Sequence, residues 1–175
     1  MIEYRTARPS DADAIASLHA RSWRENYRGA FLDAFLDGDL FGERLRVWRK
    51  RLDRPPDNQL VQLAVDTASV VGFICVYAAH DPRWGSFIDN LHVSQTSMRT
   101  GIGSALMRQA GAWLAARCPE LEVYLLVLEG NTSARRFYER LGGRNSCVST
   151  IETHGDAVVS SCRYTWLRPA LLSAA

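Results

Sequence analysis

The 175-residue sequence predicts an α+β fold, and three observations carry that expectation. Short β-rich or alternating runs are interleaved with amphipathic stretches of helical period. Those stretches start and stop at Pro, Gly, Asp and Asn. No repeat, low-complexity tract or linker divides the chain and its length suits one core, so residues 1–175 are expected to form a single domain.

The elements follow in order. Ile2, Tyr4 and Thr6 alternate with charged neighbours as in a first strand, and Pro9-Ser10-Asp11 then caps a helix carrying Ile15, Leu18 and Ala20 to about Trp23. Between Phe31 and Leu52 the apolar positions Leu32, Phe35, Leu36, Phe41, Leu45 and Trp48 fit one or two helices broken near Asp37-Gly38-Asp39. Pro55-Pro56-Asp57-Asn58 ends them. The runs Leu60 to Val65 and Val70 to Ala79, joined by Asp66-Thr67-Ala68-Ser69, read as a hairpin, and Ser86 to Val93 as a further strand. Gly101 to Cys118 is a helix with Leu106, Ala110, Trp113 and Leu114 on one face, closed by Pro119. A strand at Val123 to Val127 follows, then a helix from Thr132 to Leu141 stopped by Gly142-Gly143. Strands near Cys147 to Ile151 and Val158 to Trp166 complete the order.

Composition excludes several classes. With 21 basic and 19 acidic residues interspersed, the net charge of +2 implies no charge-driven affinity for nucleic acid or membranes. Cys75, Cys118, Cys147 and Cys162 are scattered without metal-ligand spacing, so four buried thiols in a reducing compartment are expected, with no metal and no disulfide framework. The opening MIEYRTARPSDAD has no apolar signal core and Val70 to Ala79 is too short to span a bilayer as a helix. A soluble, cytoplasmic protein is the expectation.

The stretch MRTGIGSALM, residues 98–107, places Gly101 and Gly103 between a strand and a helix. Such a join leaves backbone N–H groups pointing outward at the positive end of a helix dipole, a setting for phosphate. No Gly-Lys-Ser/Thr follows, and Leu106 stands where a dinucleotide fingerprint has its third glycine, so nucleoside triphosphate and nicotinamide sites are disfavoured. A purely structural turn is the alternative.

The surrounding FIDNLHVSQTSMRTGIGSALM and, about thirty residues on, VYLLVLEGNTSARRFYERLGG together resemble the GNAT superfamily of acyl-CoA-dependent N-acetyltransferases. The resemblance implies a mixed, mostly antiparallel sheet of about seven strands, splayed in the middle, with helices on both faces. It implies acetyl-CoA as cosubstrate, with its pyrophosphate on the loop Met98, Arg99, Thr100, Gly101, Ile102, Gly103 and Ser104. Met98 departs from the usual Arg or Gln at the first loop position, and Arg99 comes one residue later. The family pattern further places the pantetheine arm along Leu91, His92 and Val93, with a backbone N–H near Leu91 at the thioester carbonyl. Asn131 then binds the pantetheine or orders its loop, Ala134 leaves room for it, and Tyr138 is the candidate general acid at the sulfur.

Direct attack of an amine within a ternary complex needs no protein nucleophile, so no cysteine has to be catalytic. The general base stays open among Asp89, His92 and Glu129, because the strand from Val123 to Val127 lacks the glutamate that some relatives carry there. Alternation puts Asp89 and His92 on opposite faces unless a bulge intervenes. The resemblance places the acceptor beneath the first helices, where Trp23 and Tyr27, one turn apart, either wall an amine pocket or pack in the core. His19 shares that face and reads as structural. The expected acceptor is the primary amine of a small molecule, with protein or peptide acetylation and a non-catalytic acyl-CoA sensor as alternatives, in a monomer or homodimer.

Overall fold

The computed structural model describes residues 1–152 and 158–173. The strands β1 (Glu3–Thr6), β2 (Gln59–Asp66), β3 (Ser69–Asp81), β4 (Gly85–Val93), β5 (Val123–Leu128), β6 (Arg144–Glu152) and β7 (Val158–Trp166) form one sheet in the order β1-β2-β3-β4-β5-β7-β6. Neighbours are antiparallel except β4 and β5, which run parallel. The helices are α1 (Ala12–Asn26), α2 (Asp33–Asp37), α3 (Leu40–Asp53), α4 (Ile102–Ala115), α5 (Thr132–Arg140) and α6 (Ala170–Ser173).

Each sheet face gains its own core from helical periodicity. Ile102, Leu106, Met107, Ala110 and Leu114 of α4 pack against Ile74, Val76, Ile88 and Leu125 on one face. Ile15, Ala16 and Leu18 of α1, with Trp48 and Leu52 of α3, cover Val61, Leu63, Phe73 and Cys75 on the other. Each fully buried Leu or Ile contributes about 1.5–3 kcal/mol, enough to fix which face a helix covers. A third cluster of Ala20, Trp23, Phe31, Leu36 and Leu40 caps the end of α1. Among the described residues no helix is long and apolar enough to cross a membrane.

The turn signals act as their chemistry dictates. The Asp39 side chain caps α3 by accepting from the Gly42 N–H at 2.9 Å. Asp66 and Ser69 close the β2–β3 hairpin, with Thr67 and Ala68 at φ 44 and 68, the left-handed pair of a type I′ turn. β3 extends to Asp81 and β6 begins at Arg144, both beyond the expected ends, because pairing with a neighbour continues past the apolar run. The four-residue α6 is too short to show periodicity. Of the cysteines, Cys75 and Cys162 are buried and Cys118 half-buried; Cys147 corrects the expectation, being exposed on the edge strand β6.

The feature that shapes the molecule lies between β4 and β5. Their parallel ladder consists of Ser86–Val123, Phe87–Tyr124 and Ile88–Leu125 alone. On the other side of β4, Cys75 pairs with Asn90 and Val76 with Ile88, so Asp89 is an extra, bulged residue. Beyond it β4 stays with β3 and β5 stays with β7, and the sheet opens. Gly85, just before the ladder, has φ +78, and an added Cβ there would lie 2.2 Å from the Glu122 carbonyl oxygen. That same oxygen accepts from the Ser86 N–H at 2.8 Å. Gly85→Ala is therefore expected to cost about 2–4 kcal/mol in urea unfolding, through strain and loss of the ladder's first contact. A midpoint equal to that of the unsubstituted chain would contradict this.

Candidate active site

The open end of the splay leads to the start of α4. Gly101 is the N-cap at φ +88, with nothing within 4 Å of where a Cβ would stand, so backbone conformation demands glycine there. The first bond into the helix runs from the Ala105 N–H to the Gly101 carbonyl at 3.0 Å. The N–H groups of Ile102, Gly103 and Ser104 thus have no backbone acceptor among the described residues, and no acidic residue occupies the first turn. Such outward N–H groups, at the positive end of the helix dipole, suit an anion. Met98 is exposed in extended backbone, Arg99 takes φ 63, and the Thr100 hydroxyl braces the loop by donating to the Ser97 carbonyl at 2.7 Å. Gly103 faces α5: a Cβ there would meet the Phe137 ring at 3.2 Å, so its smallness serves helix packing.

The strand lining the gap carries two sets of side chains. Leu91 and Val93 pack with Ala134, Phe137 and Tyr138 of α5 on the α4 side. The bulge turns the others the opposite way. Asn90 stands opposite Cys75 and His92 opposite Phe73, both on the face covered by α1 and α3, and Asp89 reaches that face too, ion-paired with Arg51 of α3 at 2.5 Å. The alternation that separated Asp89 from His92 is thereby undone. Asp89 also accepts from the Asn90 amide, which commits it to structure-holding contacts.

His92 is held more tightly still. Its Nδ1 is 2.8 Å from Ser22 Oγ of α1, and its ring lies 4.6 Å from that of His19 and 5.2 Å from that of Phe73. Burial, aided by the Arg44 charge, pushes its pKa down to about 4, so the imidazole is neutral near pH 7. His19 accepts from the Trp48 indole N–H at 3.0 Å, in keeping with its structural reading.

Two phenols occupy apolar surroundings, one on α5 and one at the end of α1. Tyr138 on α5 is buried, and desolvation, with a smaller contribution from the charge of Tyr27, raises its pKa well above that of a free phenol. Burial pushes Tyr27, at the end of α1, up to about 12. Both therefore stay protonated as donors. Trp23 is only 7% exposed, packed against Phe31 and with the Arg44 guanidinium 4.3 Å from its ring centre, so it backs Tyr27 as part of the capping core. Asn131 caps α5 by accepting from the Ala134 N–H at 3.1 Å. Glu129 is exposed at the strand end, away from this cluster. Ser22, Asn26 and Arg44 were not anticipated; they carry no motif, and only the tertiary fold brings them to His92. Among the described residues, no three His, Cys, Asp or Glu side chains are grouped to hold a metal ion.

The His92 shift has a direct consequence for acid stability. Its folded-state value lies below the ordinary 6.5, so as pH falls from about 6.5 to about 4 the unfolded chain takes up a proton that the folded one refuses. Stability from this group is full above that window and lost across it, by up to about 3 kcal/mol. His92→Gln should flatten that part of the curve in pH-dependent thermal melts; identical acid slopes for the two proteins would contradict the assignment.

Comparison with known proteins places this geometry. The pattern of the Acetyltransferase (GNAT) family matches residues 12–143. A probable N-acetyltransferase of Mycobacterium tuberculosis is 29% identical over 144 residues, spanning 79% of this chain and 78% of the relative. PaiA N-acetyltransferase from Thermoplasma acidophilum, solved in complex with coenzyme A, superposes with a TM-score of 0.69 at 18% identity over 92% of this chain and 98% of its own. A GCN5-related N-acetyltransferase from Rhodopseudomonas palustris gives 0.73 at 18% identity over 93% of each chain. Arabidopsis thaliana NAA60 in complex with a bisubstrate analogue gives 0.70 at 17% identity, over 95% and 97%. With three quarters of its length matching the family pattern, from α1 through β2–β5 to α5 and including the glycine loop, the chain belongs to the GNAT acetyltransferase family.

Proposed function

We propose that the protein transfers an acetyl group from acetyl-CoA to the primary amine of a small molecule, by direct attack within a ternary complex. The observation that carries this reading is a single path. The gap between β4 and β5, where the ladder stops at Ile88 and Leu125, runs out to the free N–H groups at the start of α4. Phosphate oxygens of CoA would meet the N–H groups of the loop from Met98 to Ser104, and the pantetheine arm would lie along Leu91, His92 and Val93. Asn131 orders the loop beside it and Ala134 leaves room.

The chain's own groups then suit the chemistry. A backbone N–H near Leu91 polarises the thioester carbonyl, and the protonated Tyr138 hydroxyl donates to the sulfur as it leaves. With Asp89 ion-paired and His92 neutral, neither is assigned as the base, and desolvation beneath the cap of Tyr27 and Trp23 favours the neutral amine. The departing proton passes to water. The aromatic cap over the acceptor end, Trp23, Tyr27 and Phe31, supports a small acceptor over a peptide.

The test combines CoA titration calorimetry with thiol release from acetyl-CoA across a broad panel of amines, amino acids and peptides. Ser104→Asp puts a carboxylate where it suits the helix dipole yet repels phosphate, so CoA affinity should fall roughly tenfold or more with the melting temperature kept. Tyr138→Phe should keep CoA affinity and lower kcat roughly 10- to 100-fold. CoA binding untouched by Ser104→Asp, or no thiol release with any amine, would overturn the reading.

A further inference from the structure

Ser22 and Asn26 have no part in the proposed transfer, although Ser22 lies against His92 and Asn26 lies against Ser22. The His92 ring packs on both His19 and Phe73, which also contact each other with ring centres 5.7 Å apart, and its Nδ1 lies 2.8 Å from Ser22 Oγ. Ser22 is buried on α1. One turn on, the Asn26 amide nitrogen donates to the Ser22 carbonyl at 2.8 Å and lies 3.4 Å from Ser22 Oγ. A carbonyl only accepts, so the group facing it is the NH2 of Asn26, and Ser22 Oγ meets a donor on that side. With Asn26 on its acceptor side, the single Ser22 hydroxyl proton is left available for His92 Nδ1.

Charge in the neighbourhood agrees. The indole N–H of Trp48 only donates, so His19 receives it on Nδ1 as a neutral ring with its own proton on Nε2. Burial opposes protonation of His92, with a smaller contribution from Arg44 of α3, which is itself ion-paired with Glu43, while Asp89 of β4 is paired with Arg51. We infer that Ser22, oriented by Asn26, is a positioning residue that holds His92 as the neutral tautomer protonated on Nε2, making it a hydrogen-bond donor to the cleft. His92 is then a donor to an oxygen that gains negative charge, which in acyl transfer is the thioester carbonyl oxygen, and not the base that removes the amine proton. This catalytic consequence rests on the proposed acetyl transfer. The tautomer does not.

The tautomer is read directly from the ring nitrogen-15 shifts of His92 in the unliganded protein, assigned by their loss in His92→Gln. One Nε2-protonated form between pH 5.5 and 8.5 is expected, turning to a mixture in Ser22→Ala and restored in Ser22→Thr. Ser22→Ala should also lower kcat roughly tenfold with the acetyl-CoA KM unchanged, again restored by threonine. A proton on Nδ1 in the unsubstituted protein, a tautomer indifferent to Ser22→Ala, or an altered tautomer with unchanged kcat would each overturn the inference. Because the spectrum needs no substrate, absence of acetyl transfer beside the expected tautomer would overturn the proposed function while supporting the positioning of His92.

Discussion

Two parallel strands in the middle of the sheet stay paired for only three residues, and the arrangement of the candidate site depends on that limit. The bulge at Asp89 adds one residue to β4, bends it and turns its remaining course toward β3. β5 keeps its own partner, β7, for its full length. Backbone along both sides of a sheet gap would carry a heavy penalty if it were buried unpaired, so the opening stays accessible to an extended ligand. α4 starts at the mouth of the same gap, so the opening and the outward N–H groups of that helix share one origin.

A bulged strand that exposes polar side chains to a helix-covered face needs partners for them, and the structure supplies a connected series. Asp89 pairs with Arg51, whose guanidinium lies 5.1 Å from the Trp48 ring centre. Trp48 donates to His19, His19 packs on His92, and His92 meets Ser22. The series runs from β4 through α3 and α1 back to β4 and ends on α1. It fastens α3 and α1, whose end carries Trp23 and Tyr27, to the strand that lines the gap. Hydrogen-bonded, partly buried groups of this kind are costly to leave unmatched, which gives the helices one docking position.

Much of this was legible in the sequence, for identifiable reasons. Element order, the helix break at Asp37-Gly38-Asp39, the hairpin at Asp66 to Ser69 and the loop at Gly101 follow from periodicity and turn chemistry, which act locally. The family resemblance implied the splay, and it is the source of the positions proposed to face the cofactor. The location of the bulge was not legible, since one extra residue leaves no trace in composition; strict alternation therefore separated Asp89 from His92. Ser22, Asn26 and Arg44 were equally hidden, because their roles arise from contacts between α1, α3 and β4 that lie far apart along the chain. Gly103 shows the converse: its place in the glycine pattern pointed to a ligand, while its immediate neighbour is Phe137.

Amide hydrogen exchange with and without CoA tests the splayed ladder as a cofactor cleft most directly, because it reports on backbone groups that substitutions cannot address. Exchange at Leu91, His92 and Val93 and at Ile102, Gly103 and Ser104 is expected to slow together on CoA addition, with the β1–β2 pairing unaffected. CoA binding that leaves all six amides unchanged would contradict a cleft running from the bulge to the start of α4.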